Sequence, residues 1–345
     1  MSNRGAARRR SVRNAAGRGT ARPALGLPAA WTGLAVLTAV VATALAGALR
    51  GSTLPALLGT GVTRAGTDVA GVACVGLALV GVLLPVGARG AAGAEAARVG
   101  VLVDRALVAA GGAWLVGALL AVAFRAADAF GRPVGTLTAA EVVTWATRLA
   151  TGRGTLLTAA CAAAVLGCAA ARLCRAGGEA EVVPLRIVLV IGLLGMLTPG
   201  VTGHASSAAS HEVAVTTVAL HVAAASLWVG GLAAIVALLG RRRALLEHVL
   251  PRFSPLAAFC LFTVTVSGVL TAQVRLGSWS ALLLTGYGGL VVAKAVALTL
   301  LGGLALLVRR RLVAGRPNVL RWVGVEVTLR AVTLGLAAAL SQTAV

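Results

Sequence analysis

Long uncharged runs alternate with short arginine-bearing segments along most of the chain. A membrane-spanning helix needs about 20 mainly apolar residues to cross roughly 30 Å of hydrocarbon. By this criterion the pattern predicts nine spans, of which the second and fifth are short. They lie near Ala29–Leu49, Val69–Val86, Val99–Phe124, Thr155–Leu173, Leu185–Thr198, Val213–Leu239, Ala257–Val274, Gly288–Val308 and Gly324–Leu340. The predicted fold is therefore an all-α, polytopic bundle of about nine helices in a membrane.

The composition agrees with this architecture. Hydrophobic residues make up 59% of the chain, charged residues make up 12%, and the mean hydropathy is +0.94. The apolar share exceeds the roughly 45–50% that is typical of soluble domains, and it excludes disorder for most of the chain. We predict a disordered basic tail over residues 1–28, a region of four spans over 29–183 and a region of five spans over 184–345.

The net charge of +21 by itself would suggest a nucleic acid or another acidic partner. When the predicted topology is applied, however, 21 of the 31 basic residues lie in cytoplasmic segments or at the cytoplasmic ends of spans, seven lie outside and three lie within spans. This asymmetry is the positive-inside pattern of a protein whose amino terminus is cytoplasmic. The arginines therefore indicate orientation in the cell membrane. The expected partner is the lipid bilayer, with no nucleic acid, and such a bundle is also compatible with a homo-oligomer.

Histidine is scarce, and three of the four histidines fall within 18 residues. His204 and His211 lie in the predicted extracytoplasmic loop between spans five and six, while His221 lies inside span six. Met196 ends span five on the same side. Imidazole is the commonest metal ligand, and with a thioether it forms a soft donor set that suits Cu(I). The alternative is that the loop histidines are merely polar and that His221 bonds a backbone carbonyl.

The spacing of these histidines argues against one shared ion. If the helix begins near Ser210, His211 and His221 are separated by about 15 Å along its axis. A relay is easier to build, with His204 and His211 capturing the ion at the mouth and His221, with Met196, receiving it deeper. Trp228 lies seven residues beyond His221 and is interpreted either as a pathway residue or as bundle packing.

A second group of residues of scarce types lies in span eight. The only lysine, Lys294, lies inside this apolar run, seven residues after the only tyrosine, Tyr287. A lysine within a span is costly unless it is paired or snorkels, so we expect it to fix a carboxylate or carbonyls or to set the local potential. Gln273, near the outer end of span seven, is interpreted as a minor ligand or a helix–helix hydrogen bond.

Enzyme motifs are missing from the sequence. It contains no Walker A motif, no H-E-x-x-H and no serine nucleophile elbow, so we expect no enzymatic activity. The five cysteines form no C-x-x-C pair and are interpreted as packing residues.

The rare residues lie in four characteristic segments of the second half of the chain. These segments are GHASSAASH with LHVAAASLWVGGL, RFSPLAAFCLFTVTVSGVL, TGYGGLVVAKAVALTLLGGLALLVRRRL and VGVEVTLRAVTLGLAAALSQTA. Together they resemble the CopD family of copper-resistance membrane proteins. The resemblance runs roughly from Leu185 to Ala344. It implies an all-helical protein of the cytoplasmic membrane that transports or handles copper ions, with import favoured and an extracytoplasmic copper-binding protein as the donor.

The resemblance also selects residues to test. Carried over by position, they are His204, His211, His221, Trp228, Tyr287 and Lys294. Two other functions remain open at this point: a factor that delivers copper to a membrane cuproenzyme, and a b-type haem protein. Haem ligation by two histidines needs facing residues on two spans, and only His221 lies in the middle of a predicted span.

Overall fold

The computed structural model describes residues 54–85, 87, 89–175, 183–202 and 211–276, with isolated positions between 289 and 303. Within these ranges the fold is helical, without strands. The helices are α1 (Leu54–Leu83), α2 (Ala91–Phe130), α3 (Ala139–Arg148), α4 (Ala150–Arg175), α5 (Leu185–Thr202), α6 (His211–Ala225), α7 (Gly231–Leu239) and α8 (Arg243–Leu276). A π-helical segment, Ser226–Gly230, joins α6 to α7, and a 3-10 turn, Val134–Thr136, precedes α3.

Five described helices are long and apolar enough to cross a membrane. They comprise Gly61–Leu83, Ala91–Phe130, Ala150–Cys174, Val215–Leu239 and Arg243–Thr271. A shorter apolar helix, Leu185–Thr198, coincides with the predicted fifth span. These six helices correspond to predicted spans two to seven, so the chain is an all-α, multi-pass membrane protein. The basic tail, the first span and the ninth span lie outside the described residues, as does most of the eighth, and the count of nine and the orientation stay predictions.

Three helices extend well beyond the predicted spans, and the first of them, α1, begins at Leu54 rather than near Val69. Helix α2 has 40 residues, which gives about 60 Å of helix and twice the thickness of the hydrocarbon. Helix α8 begins at Arg243, so the stretch RALLEHVL, expected in a cytoplasmic loop, is helical. Alanine, leucine and glutamate are strong helix formers, and the ion pair between Arg243 and Glu247 joins successive turns. His248 is exposed there, 2.8 Å from the carbonyl of Ala244.

Helix α1 lies at the centre of the described bundle. It packs against α2, α5, α7 and the π-helical segment, and its apolar window is the most buried of the five. The main hydrophobic core includes Leu107 on α2, Val188 on α5 and Ile235 on α7. Helices on both sides of the predicted boundary at residues 183 and 184 therefore share one core.

A glycine pair allows α1 and the π-helical segment to pack backbone against backbone. A Cβ atom added to Gly76 would overlap the carbonyl oxygen of Gly230, and one added to Gly230 would overlap the carbonyl oxygen of Val72. Small residues at membrane helix interfaces permit this approach, because association in lipid depends on close packing rather than on hydrophobic burial.

Replacing Gly76 with alanine is expected to destabilise the protein. The added methyl group meets backbone that cannot rotate away, and overpacking of this kind costs about 1–3 kcal/mol. The matched control is Gly66→Ala on the same helix, where nothing lies within 4 Å of the new Cβ and alanine favours helix. Thermal unfolding of both variants in detergent tests this, and equal stability of the two would contradict the proposed close approach.

The short helix α3 covers the end of α2 through Trp145 and Ala146, which pack with Val122 and Ala126. It begins with a capping box, in which the Thr138 hydroxyl accepts from the Glu141 amide while the Glu141 carboxylate accepts from the Thr138 amide. These hydrogen bonds, first from the Thr138 backbone, lower the pKa of Glu141. The cap explains why a helix forms inside a segment that the hydropathy pattern leaves between two spans.

A buried ion pair near the carboxyl end of α4 connects three helices. The Nε atom of Arg172 lies 2.7 Å from Oδ1 of Asp104 on α2, and a second nitrogen lies 3.4 Å from Oδ2. The same guanidinium donates to the carbonyl of Val183, just before α5. The Asp104 and Arg172 side chains are 7% and 14% exposed, so their charges are compensated mainly by each other.

Candidate metal-transfer site

His221 projects from α6 against α8. Its Nδ1 atom lies 2.9 Å from the hydroxyl oxygen of Ser267, and a Cβ atom at Gly268 would lie 3.7 Å from Cε1 of the ring. The imidazole is thus partly buried between two packed helices, where it lies against Ser267 and Gly268. The partner of Nδ1 is thus a side-chain hydroxyl.

Ser267 is the residue at this site that the sequence reasoning missed. It is 4% exposed, and its hydroxyl lies 2.5 Å from the carbonyl oxygen of Thr263 and 3.4 Å from that of Val264. The signal available in the sequence is a Ser-Gly step in the apolar run TVTVSGVL. A serine in such a run usually bonds its own helix, and only the packing of α6 on α8 shows that it also reaches a histidine.

The helix that carries the histidines is regular from His211 to Ala225. His211 and His221 are therefore about 15 Å apart along one axis, the separation estimated from the sequence. Beyond Ala225 the π-helical segment changes the rotation per residue, so the seven-residue spacing between His221 and Trp228 no longer corresponds to two regular α-helical turns. Trp228 is 3% exposed and belongs to the main hydrophobic core.

Met196 contacts different helices from His221. Its sulfur atom lies so close to Gly71 on α1 that a Cβ atom added there would overlap it, and Nε1 of Trp114 on α2 lies 3.1 Å from that Cβ position. Within the described part of the chain the buried Trp114 N–H has no hydrogen-bond partner. The thioether therefore packs between α1 and α2 beside an indole, whereas the imidazole of His221 contacts α8.

The remaining predicted residues are not tested by the structure. His204, Tyr287 and Lys294 lie outside the described residues, and for His211 and Gln273 only the helical backbone is described. Among the described side chains, no group of three or more His, Cys, Asp or Glu residues could hold a metal ion.

Two comparisons with known proteins found copper-related matches for this chain. Residues 247–340 match the family model of CopD, copper resistance protein D. A curated relative from Bacillus subtilis (strain 168), named copper transport protein CutJ, is 32% identical over 133 residues, which cover 36% of this chain. The match spans 24% of the length of that relative. No solved structure matches the chain.

The family match includes Ser267 on α8 but begins after His221. Its span is also shorter than the resemblance from Leu185 to Ala344 that the sequence motifs suggest. Over residues 247–340, the resemblance of this membrane protein to the CopD copper-resistance family is confirmed.

Proposed function

We propose that this protein transports copper ions across the cytoplasmic membrane into the cell. The observation that carries the proposal is the imidazole of His221, held inside a membrane-spanning helix by Ser267 of the neighbouring helix. Intramembrane ionisable residues are rare and mark ion pathways, and the matched family handles copper.

The ion passes along a relay rather than resting in one closed site. His204 and His211 capture copper at the extracytoplasmic mouth, and His221 receives it within the bundle. Met196 on α5 is the soft thioether ligand that follows His221 in this relay, and its sulfur packs against Gly71 of α1. Sparse soft ligands hold Cu(I) long enough to orient it and release it easily.

Four further residues shape this path in our proposal. Lys294 and Tyr287 of span eight orient carbonyls and set the potential, since a protonated lysine does not bind a cation. Gln273 supplies a minor ligand at the mouth, and Trp228 packs beside the path below His221. An extracytoplasmic copper-binding protein is the donor.

The two histidine side chains that the structure describes do not form a haem site together. Haem iron held by two imidazoles requires their nitrogens a few ångströms apart on opposite sides of the metal. The second described imidazole, that of His248, lies 19 residues before Ser267 on α8, about 28 Å along the helix from the contact with His221. Those two side chains do not bracket one haem.

Copper uptake by the purified, full-length protein in liposomes tests the proposal. With Cu(I) outside and a Cu(I)-specific indicator inside, we expect accumulation that depends on the protein and saturates with copper concentration. Trypsin cleavage of the arginine-rich tail reports the orientation of the inserted protein. Uptake no faster than in empty liposomes, with copper transferred instead to an added acceptor protein, would show a delivery factor and overturn the transport proposal.

A further inference from the structure

We infer that Ser267 holds the His221 imidazole in the neutral tautomer that carries its hydrogen on Nδ1, which makes Nε2 the nitrogen that ligates copper. The inference rests on the proposed role of His221 as a copper ligand, and it adds Ser267 as a positioning residue. It concerns α8, whereas the candidate ligands predicted from sequence lie mainly on α5 and α6.

The direction of the hydrogen bonds follows from the acceptors around Ser267. A serine hydroxyl has one hydrogen to donate. Its oxygen lies 2.5 Å from the carbonyl oxygen of Thr263, which can only accept, so the hydroxyl hydrogen lies between these two atoms. The carbonyl of Val264, 3.4 Å away, is also only an acceptor.

The hydroxyl oxygen of Ser267 therefore accepts a hydrogen bond from His221. The Nδ1 atom of His221, 2.9 Å from the hydroxyl oxygen, must then carry the hydrogen and donate it. The reverse arrangement, with the hydroxyl donating to Nδ1, would leave two oxygen lone pairs facing each other across 2.5 Å without a hydrogen. The chain of donation thus runs from imidazole to hydroxyl to carbonyl, and each bond polarises the next.

This tautomer suits a metal ligand. A neutral imidazole with hydrogen on Nδ1 has its basic lone pair on Nε2. Metal-ligating histidines usually donate their other ring N–H to an acceptor, which fixes the tautomer and the ring orientation and raises the basicity of the ligating nitrogen. Ser267 supplies such an acceptor in a setting where it is 4% exposed.

The neighbouring hydroxyls on α8 are references with which the hydrogen bonds of Ser267 can be compared. Those of Thr263, Thr265 and Thr271 bond the carbonyl four residues earlier, as the Ser267 hydroxyl does. Ser267 makes the additional contact with α6. Thr265→Ala therefore removes an equivalent hydroxyl from the same helix while leaving the His221 contact intact, and Ser267→Thr keeps the hydroxyl at the site.

The test combines a tautomer measurement on the metal-free protein with a Cu(I) affinity. Nitrogen-15 chemical shifts of the full chain, labelled at histidine, report which ring nitrogen carries hydrogen, and His221→Ala identifies the signal. We expect the Nδ1–H tautomer in the wild-type protein and its loss in Ser267→Ala. Competition with a Cu(I) chelator should show about a 10- to 100-fold weaker affinity in that variant, the usual effect of removing an outer-shell partner.

The controls separate positioning from folding. Ser267→Thr is expected to restore both the tautomer and the affinity, and Thr265→Ala is expected to change neither. An Nε2–H tautomer in the wild-type protein, or an unchanged tautomer in Ser267→Ala, would overturn the inference whatever the protein transports. An affinity unchanged by His221→Ala would instead overturn the proposed role of His221 and leave the tautomer result standing.

Discussion

Replacing His221 with alanine is expected to abolish protein-dependent copper accumulation in liposomes, reducing it to the level of empty vesicles. The variant removes the described imidazole that lies between α6 and α8 inside the bundle. Without it, the relay loses the imidazole that receives the ion inside the bundle, and a cation without a ligand is unstable among apolar side chains.

The matched control is His248→Ala, which removes an exposed imidazole from α8 outside the proposed path. This variant should transport as the wild type does. Both proteins should reach the membrane in equal amounts, because His221 sits on small residues and its removal leaves the helix contacts of α1 unchanged. Uptake by His221→Ala at the wild-type rate would refute the relay.

Replacing Arg172 with alanine is expected to lower the free energy of unfolding by about 3–5 kcal/mol, the usual cost of leaving a buried charge without its partner. The Asp104 carboxylate, whose side chain is 7% exposed, would lose both guanidinium contacts. The carbonyl of Val183 would lose its donor at the same time, which loosens the start of α5.

A surface pair provides the scale for this measurement. Arg243 and Glu247 form an ion pair 3.0 Å long, but their side chains are 90% and 64% exposed. Arg243→Ala should therefore cost roughly 0.5 kcal/mol or less. Denaturant unfolding in detergent compares the two variants, and a partial recovery is expected when Asp104→Asn is added to Arg172→Ala. Similar stabilities of the two single variants would show that the buried pair does not hold the helices together.

The helices were predictable because hydropathy is a local property. Runs such as Val99–Phe124 and Thr155–Leu173 can satisfy their backbone in lipid only as helices, so length and apolarity are enough to locate them. Their ends were less predictable: α8 extends back to Arg243, because helix propensity continues after hydropathy has fallen. The π-helical segment at Ser226–Gly230 has no signature in hydropathy at all.

In the candidate site, too, some residues were predictable from sequence and others were not. His221 was found from sequence because an imidazole inside an apolar run is unusual wherever its neighbours lie. Ser267 was not found, because serine in a membrane helix commonly bonds its own backbone and its second partner lies 46 residues away in the chain. Met196 was grouped with the histidines by proximity in sequence, but its contacts are with Gly71 and Trp114.

By itself, the sequence determined that this is an all-α, multi-pass membrane protein with a CopD-like segment and a scarce intramembrane histidine. The tertiary structure alone decided that His221 meets Ser267, that Met196 faces α1 and α2, and that Asp104 and Arg172 lock three helices together. The physical reason is the separation in sequence between the residues that determine each feature. Insertion of a helix depends on its own residues, whereas the partner of a side chain depends on how helices distant in sequence pack against each other.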